Sequence, residues 1–199
     1  MKTCYVVGAA PFTRFFDAKE GDLIIAADGG WQALMAKGLR PDLVVGDFDS
    51  SPAPLDIPII RFPKEKDDTD TALAIREGVR RGYERFFLYG CSGGRADHTL
   101  ANVQVLHGLA KEGLCGYLAD DDTVSTVIVN RSLAFEPKGR VSVFSLTDES
   151  QGVTLEGLRY SLVDATLFNT YPLGVSNEGT GCAATATVRM GALYVIWEE

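Results

Sequence analysis

Leu43-Val44-Val45-Gly46-Asp47-Phe48-Asp49 is the sharpest local signal in this chain. Its apolar half predicts a buried strand, and its second half places the carboxylates of Asp47 and Asp49 at the end of that strand. Gly46 lets the backbone turn closely beneath a ligand. In an α/β sheet, loops converge at such strand ends and form active sites. For this stretch alone, a turn in which both aspartates accept local backbone hydrogen bonds is the alternative.

Three further acidic clusters stand where a strand should end or a helix should begin. They are Asp28-Gly29-Gly30, Lys66-Asp67-Asp68-Thr69-Asp70 and Gly93-Gly94-Arg95-Ala96-Asp97-His98. Each has an ordinary structural explanation by itself, but four clusters at one sheet edge favour a shared site. Carboxylates gathered there repel one another unless a cation joins them. We therefore predict a hard divalent metal, Mg²⁺, which takes oxygen ligands and bridges a few carboxylates to a substrate phosphate.

Two interpretations fit the cluster at residues 66–70, which stands before the second predicted helix. Asp68 or Thr69 could merely cap the helix, because acidic residues and threonine satisfy the free N–H groups at helix N-termini. Lys64 and Lys66 favour the other interpretation, a site that neutralises phosphate around a metal. The partial positive charge of the helix N-terminus would add to that effect.

The glycine-rich cluster of residues 93–98 connects a predicted strand to the third predicted helix. Its backbone amides could approach a phosphate closely, and Arg95 could grip one in bidentate fashion. The cluster is neither a P-loop nor a dinucleotide-binding fingerprint. His98 is either a proton-transfer group or a structural, substrate-positioning residue.

Alternating strand and helix patterns predict an α/β domain with a mostly parallel sheet over residues 1–121. From residue 122 no convincing helix follows, and period-two patterns predict a small all-β, sandwich-like domain over residues 122–199. In the first domain we predict strands at 5–7, 23–26, 43–45, 57–60 and 86–89, and helices at 31–37, 71–81 and 99–111. In the second we predict strands at 124–129, 140–146, 153–155, 161–167, 183–190 and 192–197, with a turn at 177–179.

The composition excludes several classes of function. The 199 residues are 46% hydrophobic and 23% charged, as in an ordinary globular protein. A formal charge of −8 argues against nucleic-acid binding, which usually needs a basic face. No apolar stretch approaches the roughly 20 residues that span a bilayer, and the first apolar run is too short for a signal peptide. We therefore expect a cytoplasmic protein without a membrane partner.

In chain order, the four clusters and Ser176-Asn177-Glu178 resemble the thiamine pyrophosphokinase family, as does the stretch Leu155-Glu156-Gly157-Leu158-Arg159-Tyr160-Ser161-Leu162. The resemblance covers nearly the whole chain. It implies an N-terminal α/β domain that binds ATP, a C-terminal β-domain that binds thiamine, and a homodimer with active sites shared between subunits. The implied reaction converts ATP and thiamine to AMP and thiamine diphosphate, with Mg²⁺ as the cofactor.

The resemblance also implies roles for individual residues. It assigns catalysis to Asp47, Asp49, Asp70 and Lys66, with the three aspartates as metal ligands. It assigns ATP binding to Asp28, Gly29, Asp67, Thr69, Arg95, Asp97 and His98, and thiamine binding to Ser176 and Asn177. After Glu178 the chain continues with Gly179-Thr180-Gly181, where the resemblance leads us to expect a bulkier residue. Tyr171 and Phe168 are therefore candidates for packing against the thiamine rings.

Other functions fit parts of the sequence. Asp47-Phe48-Asp49 after an apolar strand imitates the nucleophile motif of a haloacid dehalogenase-type phosphatase, and Asp120-Asp121 imitates its distal acids. A metal-dependent glycosyltransferase could use the same two aspartates. Both alternatives leave the clusters at 66–70 and 93–98 unexplained. A non-catalytic thiamine- or nucleotide-binding regulator is the third alternative, although none of the acids expected for catalysis is missing.

Overall fold

The chain forms two compact units in the computed structural model, which describes residues 2–49, 52–65 and 67–199. Unit 1 comprises Met1–Val105 and Leu114–Asp121, and unit 2 comprises Leu106–Gly113 and Asp122–Glu199. The expectation of two domains agrees with this division. Within the described ranges, no helix is both long enough and apolar enough to cross a membrane.

Unit 1 alternates strands and helices. Its elements are β1 (Thr3–Val7), β2 (Leu23–Ala27), α1 (Gly30–Ala36), β3 (Leu43–Gly46), β4 (Ile59–Arg61), α2 (Asp70–Arg80), β5 (Arg85–Tyr89), α3 (Ala96–Lys111, whose last residues are grouped with unit 2) and β6 (Cys115–Ala119). The strand order is β6-β5-β1-β2-β3-β4, and each neighbouring pair runs parallel. The carboxyl ends of β2, β3 and β5 therefore lie at one edge of the sheet.

The central strands of unit 1 are apolar along their whole length because both faces of the sheet are covered. Every residue of β2 and β3 is buried. Ala72 and Ile75 of α2 pack among the buried residues, as the spacing on one helix face predicts. This rigid interior positions the strand ends that carry the acidic clusters.

Unit 2 is built mainly from antiparallel strands. They are β7 (Thr123–Val129), β8 (Ser132–Phe135), β9 (Arg140–Ser145), β10 (Glu149–Glu156), β11 (Leu162–Phe168), β12 (Gly174–Glu178), β13 (Ala184–Thr187) and β14 (Ala192–Glu198). One set has the order β12-β9-β14-β7 and the other β11-β10-β13-β8. All the pairings within these two sets are antiparallel. β11 and β12 are thus edge strands of their sets.

Sequence patterns do not predict three strands of the structure, β6 in unit 1 and β8 and β12 in unit 2. Two of them contain glycine, and β12 is mostly polar, so their intrinsic strand preference is low and pairing with neighbours decides their conformation. The predicted turn at 177–179 is wrong at Asn177 and Glu178, which belong to β12.

Candidate functional site

The ends of β2 and β3 bring the first two acidic clusters together. The backbone N–H of Asp28 donates to the carbonyl of Val45 over 2.7 Å. A Cβ added to Gly46 would lie 3.1 Å from the Cα of Asp28 and 3.4 Å from its Oδ1. Any larger residue at position 46 would crowd this carboxylate, so Gly46 permits the close approach of the two strand ends.

The loop after β3 presents Asp47 and Asp49. The carboxylate of Asp47 accepts a hydrogen bond from the backbone N–H of Asp49 over 3.0 Å, as the turn interpretation predicts. Asp49 also pairs with the Lys64 ammonium at 2.6 Å, which raises the pKa of Lys64. Lys64 therefore already supplies a cation beside this carboxylate, consistent with its predicted place next to the acids.

Arg61 braces the same loop from the neighbouring strand. Phe48, between the two aspartates, has φ +60°, a left-handed conformation that a bulky residue rarely adopts. The Arg61 guanidinium lies 4.8 Å from the centre of the Phe48 ring, and its Nη1 donates to the Asp47 carbonyl over 3.0 Å. Arg61 is the last residue of β4 and pairs with Gly46 of β3, so the sheet fixes it beside the loop. Sequence reasoning missed this residue because no motif marks it.

The N-terminus of α2 carries the third cluster. Thr69 caps the helix, since its Oγ1 accepts a hydrogen bond from the Ala72 N–H over 3.1 Å. Asp68 pairs with Arg76 through contacts of 2.5 and 3.0 Å. Thr69 thus has the capping role that one interpretation predicts, whereas Asp68 is paired with an arginine of the same helix. Asp70 begins the helix, and Asp67 is exposed. The predicted catalytic Lys66 lies outside the described residues.

A cleft of about 410 Å³ in unit 1 is lined by residues of two clusters, the one that begins at Asp28 and the glycine-rich one at 93–98. Three residues that were predicted to bind ATP, Asp28, Arg95 and His98, line it. The rest of its lining is Gly8, Ala9, Ala10, Thr71, Gly90, Cys91, Ser92, Gly94, Thr99 and Asn102. A Cβ on Gly8 would lie only 2.5 Å from the Gly90 carbonyl oxygen, so the loops after β1 and β5 touch through bare backbone. Both glycines are buried, and the Gly8 N–H donates to the Tyr89 carbonyl over 2.8 Å, so this contact fixes the two loops against each other.

Arg95 and Asp97 form a close pair at the rim of the cleft. The guanidinium contacts the carboxylate through Nε at 3.1 Å and Nη2 at 2.5 Å. The hydrogen bond from Arg95 lowers the pKa of Asp97 to about 2. The same carboxylate accepts the backbone N–H of His98 over 3.0 Å. Asp97 thus orients Arg95 and the start of α3, while Arg95 is 70% exposed and able to meet an anion.

Asn102 is a residue of the cleft that sequence reasoning missed. It is 3% exposed, and its Nδ2 donates to the Cys91 carbonyl over 2.6 Å, which ties α3 to the loop after β5. Its place one turn after His98 on the helix is the only signal that could have identified it. Burial raises the pKa of the neighbouring Cys91 thiol to about 12, so this cysteine stays protonated and is not a nucleophile.

Unit 2 contains a separate pocket of about 300 Å³. Ser176 and Asn177 line it, together with Leu155, Tyr160, Leu162, Leu173, Gly174 and Val175. Ser176 has φ +59°, and its N–H donates to Ser142 Oγ over 3.2 Å. The two predicted thiamine contacts are therefore on one mostly apolar pocket. Tyr171 and Phe168 are not part of its lining, whereas Tyr160 is.

The residues that could hold a metal are few. Within residues 2–49, 52–65 and 67–199, no group of three or more His, Cys, Asp or Glu side chains is arranged to bind a metal ion. Asp47 and Asp49 nevertheless offer carboxylate oxygens on one short loop, beside the Asp28 strand end. Mg²⁺ is commonly bound by one or two carboxylates plus substrate phosphates rather than by an all-protein cage. The donor chemistry therefore fits Mg²⁺ together with a phosphate ligand.

Comparison with known proteins gives one consistent family. A model of the thiamin pyrophosphokinase catalytic domain matches residues 18–117, and a model of the thiamin pyrophosphokinase vitamin B1 binding domain matches residues 126–193. The chain is 27% identical over 213 residues to a thiamine pyrophosphokinase of Bacillus subtilis, with 98% of each sequence covered.

Solved structures agree over nearly the full length. The thiamine pyrophosphokinase of Bacillus subtilis superposes with a TM-score of 0.89 at 26% identity, covering 99% of both chains. That of Geobacillus thermodenitrificans gives 0.87 at 28% identity, covering 99% of this chain and 97% of the other. The thiamin pyrophosphokinase of Candida albicans gives 0.78 at only 13% identity, covering 100% and 89%, and is similar in fold alone.

Proposed function

The chain belongs to the thiamine pyrophosphokinase family, and we propose that it transfers the pyrophosphoryl group of ATP to thiamine, giving thiamine diphosphate and AMP. The observation that carries this function is the match of both family domains, in order, over residues 18–117 and 126–193. The alternatives from the sequence, a phosphatase, a glycosyltransferase and a silent regulator, have no comparable support.

Unit 1 would bind MgATP through its cleft and strand-end carboxylates. The exposed Arg95 guanidinium, which lines the cleft, suits the phosphates. Asp47 and Asp49, with Asp70 at the start of α2, would hold Mg²⁺, which when bound neutralises charge on the phosphates. The roles of Asp28, Gly29, Asp67, Thr69, Asp97 and His98 toward ATP stay predictions, as does that of Lys66. For Thr69 and Asp97, the observed bonds support indirect roles, in capping α2 and in orienting Arg95.

The reaction would be a direct in-line transfer. The hydroxyl oxygen of thiamine attacks the β-phosphorus of ATP, the bond from that phosphorus to the α–β bridging oxygen breaks, and AMP leaves. The hydroxyl proton passes to a nearby base. Such chemistry depends mainly on positioning and on cations that stabilise the spread negative charge. Arg95 and Lys64 are the described cations whose positions suit that task.

Unit 2 would bind thiamine in its 300 Å³ pocket. The apolar lining of Leu155, Leu162 and Leu173 suits the flat rings of the substrate. Ser176 is exposed at the pocket and is available for a polar contact. A vitamin B1 binding-domain match over the same unit supports this assignment.

A homodimer with shared sites is part of the proposal. It is supported by exposed apolar side chains on the edge strands β11 and β12 and in the segment between them. Val163 is 81% exposed, Phe168 45%, Leu173 52% and Val175 43%. Exposed apolar residues on unpaired strand edges favour association, and a second copy of this chain is the partner that we propose. The proposal places the enzyme in the cytoplasm.

The test is incubation with MgATP and thiamine, followed by separation of the nucleotide products. We expect AMP and thiamine diphosphate in equal amounts. Release of ADP or inorganic phosphate as the main product would support a different transferase or a phosphatase. Binding of either substrate without turnover would instead support the regulator.

A further inference from the structure

We propose that Asp120 and Asp121, which follow β6, are positioning residues for the cleft of unit 1. They hold two of its walls, the β1 loop (residues 8–16) and the loop after β5, in the arrangement that binds ATP. This inference rests on the proposed function of unit 1 as the ATP-binding domain. It gives a role to the acid pair that otherwise only imitates the distal acids of a phosphatase.

Asp121 holds the β1 loop at Thr13 and Arg14. One oxygen of its carboxylate, Oδ1, accepts the backbone N–H of Thr13 over 2.6 Å and that of Arg14 over 3.0 Å. These bonds, that from Thr13 foremost, lower the pKa of Asp121 below its usual value, so the side chain is ionised at neutral pH. Hydrogen bonds to an ionised carboxylate are stronger than those between neutral groups. Asp121 thus fixes the backbone of two loop residues from the end of β6, although it is 108 residues away from Thr13 in sequence.

Asp120 connects the same loop to the loop after β5. Its backbone carbonyl accepts a hydrogen bond from Nη1 of the Arg14 guanidinium over 3.2 Å. Its carboxylate accepts a hydrogen bond from the Ser92 hydroxyl, and Ser92 lines the cleft. Asp120 and Asp121 therefore bind both loops from one short segment. The parallel pairing of β6 with β5 fixes the start of that segment on the sheet.

The first residues of the β1 loop form part of the cleft itself. Ala9 and Ala10 line it, and the Ala10 N–H donates to the Gly90 carbonyl over 3.0 Å. A Cβ added to Gly29 would lie 3.4 Å from the Cβ of Ala9, and one added to Gly94 would lie 3.9 Å from the Cβ of Ala10. The β1 loop therefore lies between the loops after β2 and β5, and a displacement of this loop changes the width of the cleft.

Aromatic packing anchors the β1 loop independently of the two acids. Phe12 and Phe16 are each 8% exposed. The Phe16 ring stacks on Tyr5 with 4.4 Å between centres and lies 4.8 Å from the Tyr89 ring, and Phe12 lies 5.9 Å from Tyr89. These contacts fix the loop on the sheet, whereas the acids fix the backbone between the two phenylalanines. Loss of the acids should therefore shift the loop rather than unfold the domain.

Asp121→Ala is the direct test. Equilibrium binding of MgATP to the full-length protein would be measured by calorimetry without thiamine, and the KM values for ATP and thiamine by AMP formation. We expect Asp121→Ala to weaken MgATP binding and to raise the KM for ATP by about 5- to 30-fold, as the loss of hydrogen bonds to an exposed charged group predicts. The KM for thiamine and the Tm should change little. Normal MgATP binding, or an equal rise in both KM values, would overturn the positioning role.

Asp121→Asn and Asp122→Ala are the matched controls. Asp121→Asn keeps an oxygen that accepts both N–H groups but loses the charge, so it should lose less ATP affinity than Asp121→Ala. Asp122 is the neighbouring exposed aspartate, and the Glu199 N–H donates to its backbone carbonyl over 3.2 Å rather than to its carboxylate. Asp122→Ala should therefore bind MgATP normally. A loss in Asp122→Ala as large as that in Asp121→Ala would overturn the inference.

A double-mutant cycle tests the role of Asp120. If Asp120 acts through Ser92, Asp120→Ala should weaken MgATP binding in the wild type but cost clearly less in the Ser92→Ala background. Additive losses would overturn this part of the inference. Should Asp120→Ala fail to fold, Asp120→Asn replaces it, because it keeps the shape of the side chain and loses the charge that strengthens the bond from Ser92.

The outcome for the wild type keeps this inference distinct from the proposed function. A wild-type protein that forms AMP and thiamine diphosphate, combined with an Asp121→Ala variant of unchanged ATP affinity, would refute the inference alone. A wild-type protein that binds MgATP without turnover, and binds it less well after Asp121→Ala, would refute the enzymatic function alone. A wild-type protein that does not bind MgATP would refute both.

Discussion

Replacing Arg61 with leucine should impair the enzyme although Arg61 touches neither substrate in the proposed mechanism. The residue donates a hydrogen bond to the Asp47 carbonyl over 3.0 Å and stacks on Phe48 at 4.8 Å. Phe48 stands at φ +60°, which costs a non-glycine residue about 1–2 kcal/mol. We expect the loop to relax once the brace is removed, so that Asp47 and Asp49 lose their fixed orientation.

The size of the effect follows from the two contacts. A hydrogen bond from an exposed guanidinium to a carbonyl contributes about 1 kcal/mol after discounting for solvent screening. An exposed cation–π contact adds about 0.5–1 kcal/mol. Together they contribute about 1.5–2 kcal/mol, so their loss would lower the equilibrium constant for the braced loop by about 10- to 30-fold. The ratio kcat/KM for MgATP should fall by a similar factor.

The assay is steady-state production of AMP by Arg61→Leu, with Arg40→Leu as the control. Arg40 is also an exposed arginine paired with an acid, Asp56 at 2.7 Å, but it belongs to none of the clusters. Phe48→Gly removes the backbone strain, so Arg61→Leu should cost much less in that background. A folded Arg61→Leu enzyme with normal kcat/KM, or an equal loss in both backgrounds, would refute the brace.

The remaining predictions concern metal, phosphate, pH and assembly. Asp47→Asn or Asp49→Asn should fold normally but lose at least about 100-fold in turnover, because each removes charge at the proposed metal site; near-normal turnover at saturating Mg²⁺ would contradict this. Arg95→Ala should raise the KM for ATP far more than that for thiamine; the opposite pattern would move Arg95 to the thiamine side. A hydrogen bond from Arg80 lowers the pKa of Glu77 to about 2, from a usual value of 4.5. The ionised Glu77 therefore stabilises the folded state fully above pH 4.5, and this stabilisation is lost as the pH falls from 4.5 toward 2. Glu77→Gln should therefore lower the Tm at pH 7 but hardly at pH 2, and a loss independent of pH would contradict the ion pair. The test of shared sites applies if Asn177→Ala is itself inactive. Asp47→Asn and Asn177→Ala chains refolded together in equal amounts should then regain roughly a quarter of wild-type activity, whereas a mixture as inactive as its parents would indicate sites built within one chain.

The sequence predicts the acidic strand ends well for a physical reason. Buried parallel strands must be apolar, and the first carboxylates after them mark the point where the chain leaves the core. For this reason Asp28 and Asp47 are found where the pattern predicts, after β2 and β3. Hydrophobic periodicity and turn residues are properties of short stretches of sequence. They therefore identify β2, β3 and α2 without knowledge of the elements that pack against them.

The sequence could not predict features that depend on pairing. β12 is a strand because β9 pairs with it, while its residues, Gly-Val-Ser-Asn-Glu, have little strand preference of their own. The Arg61 brace requires β4 to lie beside β3, and the Asn102 bond requires α3 to pack on the loop after β5. None of these contacts is between neighbours in sequence, so composition and spacing carry no trace of them.

Asn177 shows that a motif residue can also have a role inside the fold. A motif indicates that a residue type is needed at a position, but the number of its free hydrogen-bonding groups decides whether it can also bind a substrate. For Asn177 both oxygen lone pairs and one N–H are committed to the backbone of Tyr160 and Glu178. The bonds of Asn177 therefore hold the backbone of Tyr160 at the pocket of unit 2, and the role of Asn177 toward thiamine stays a prediction.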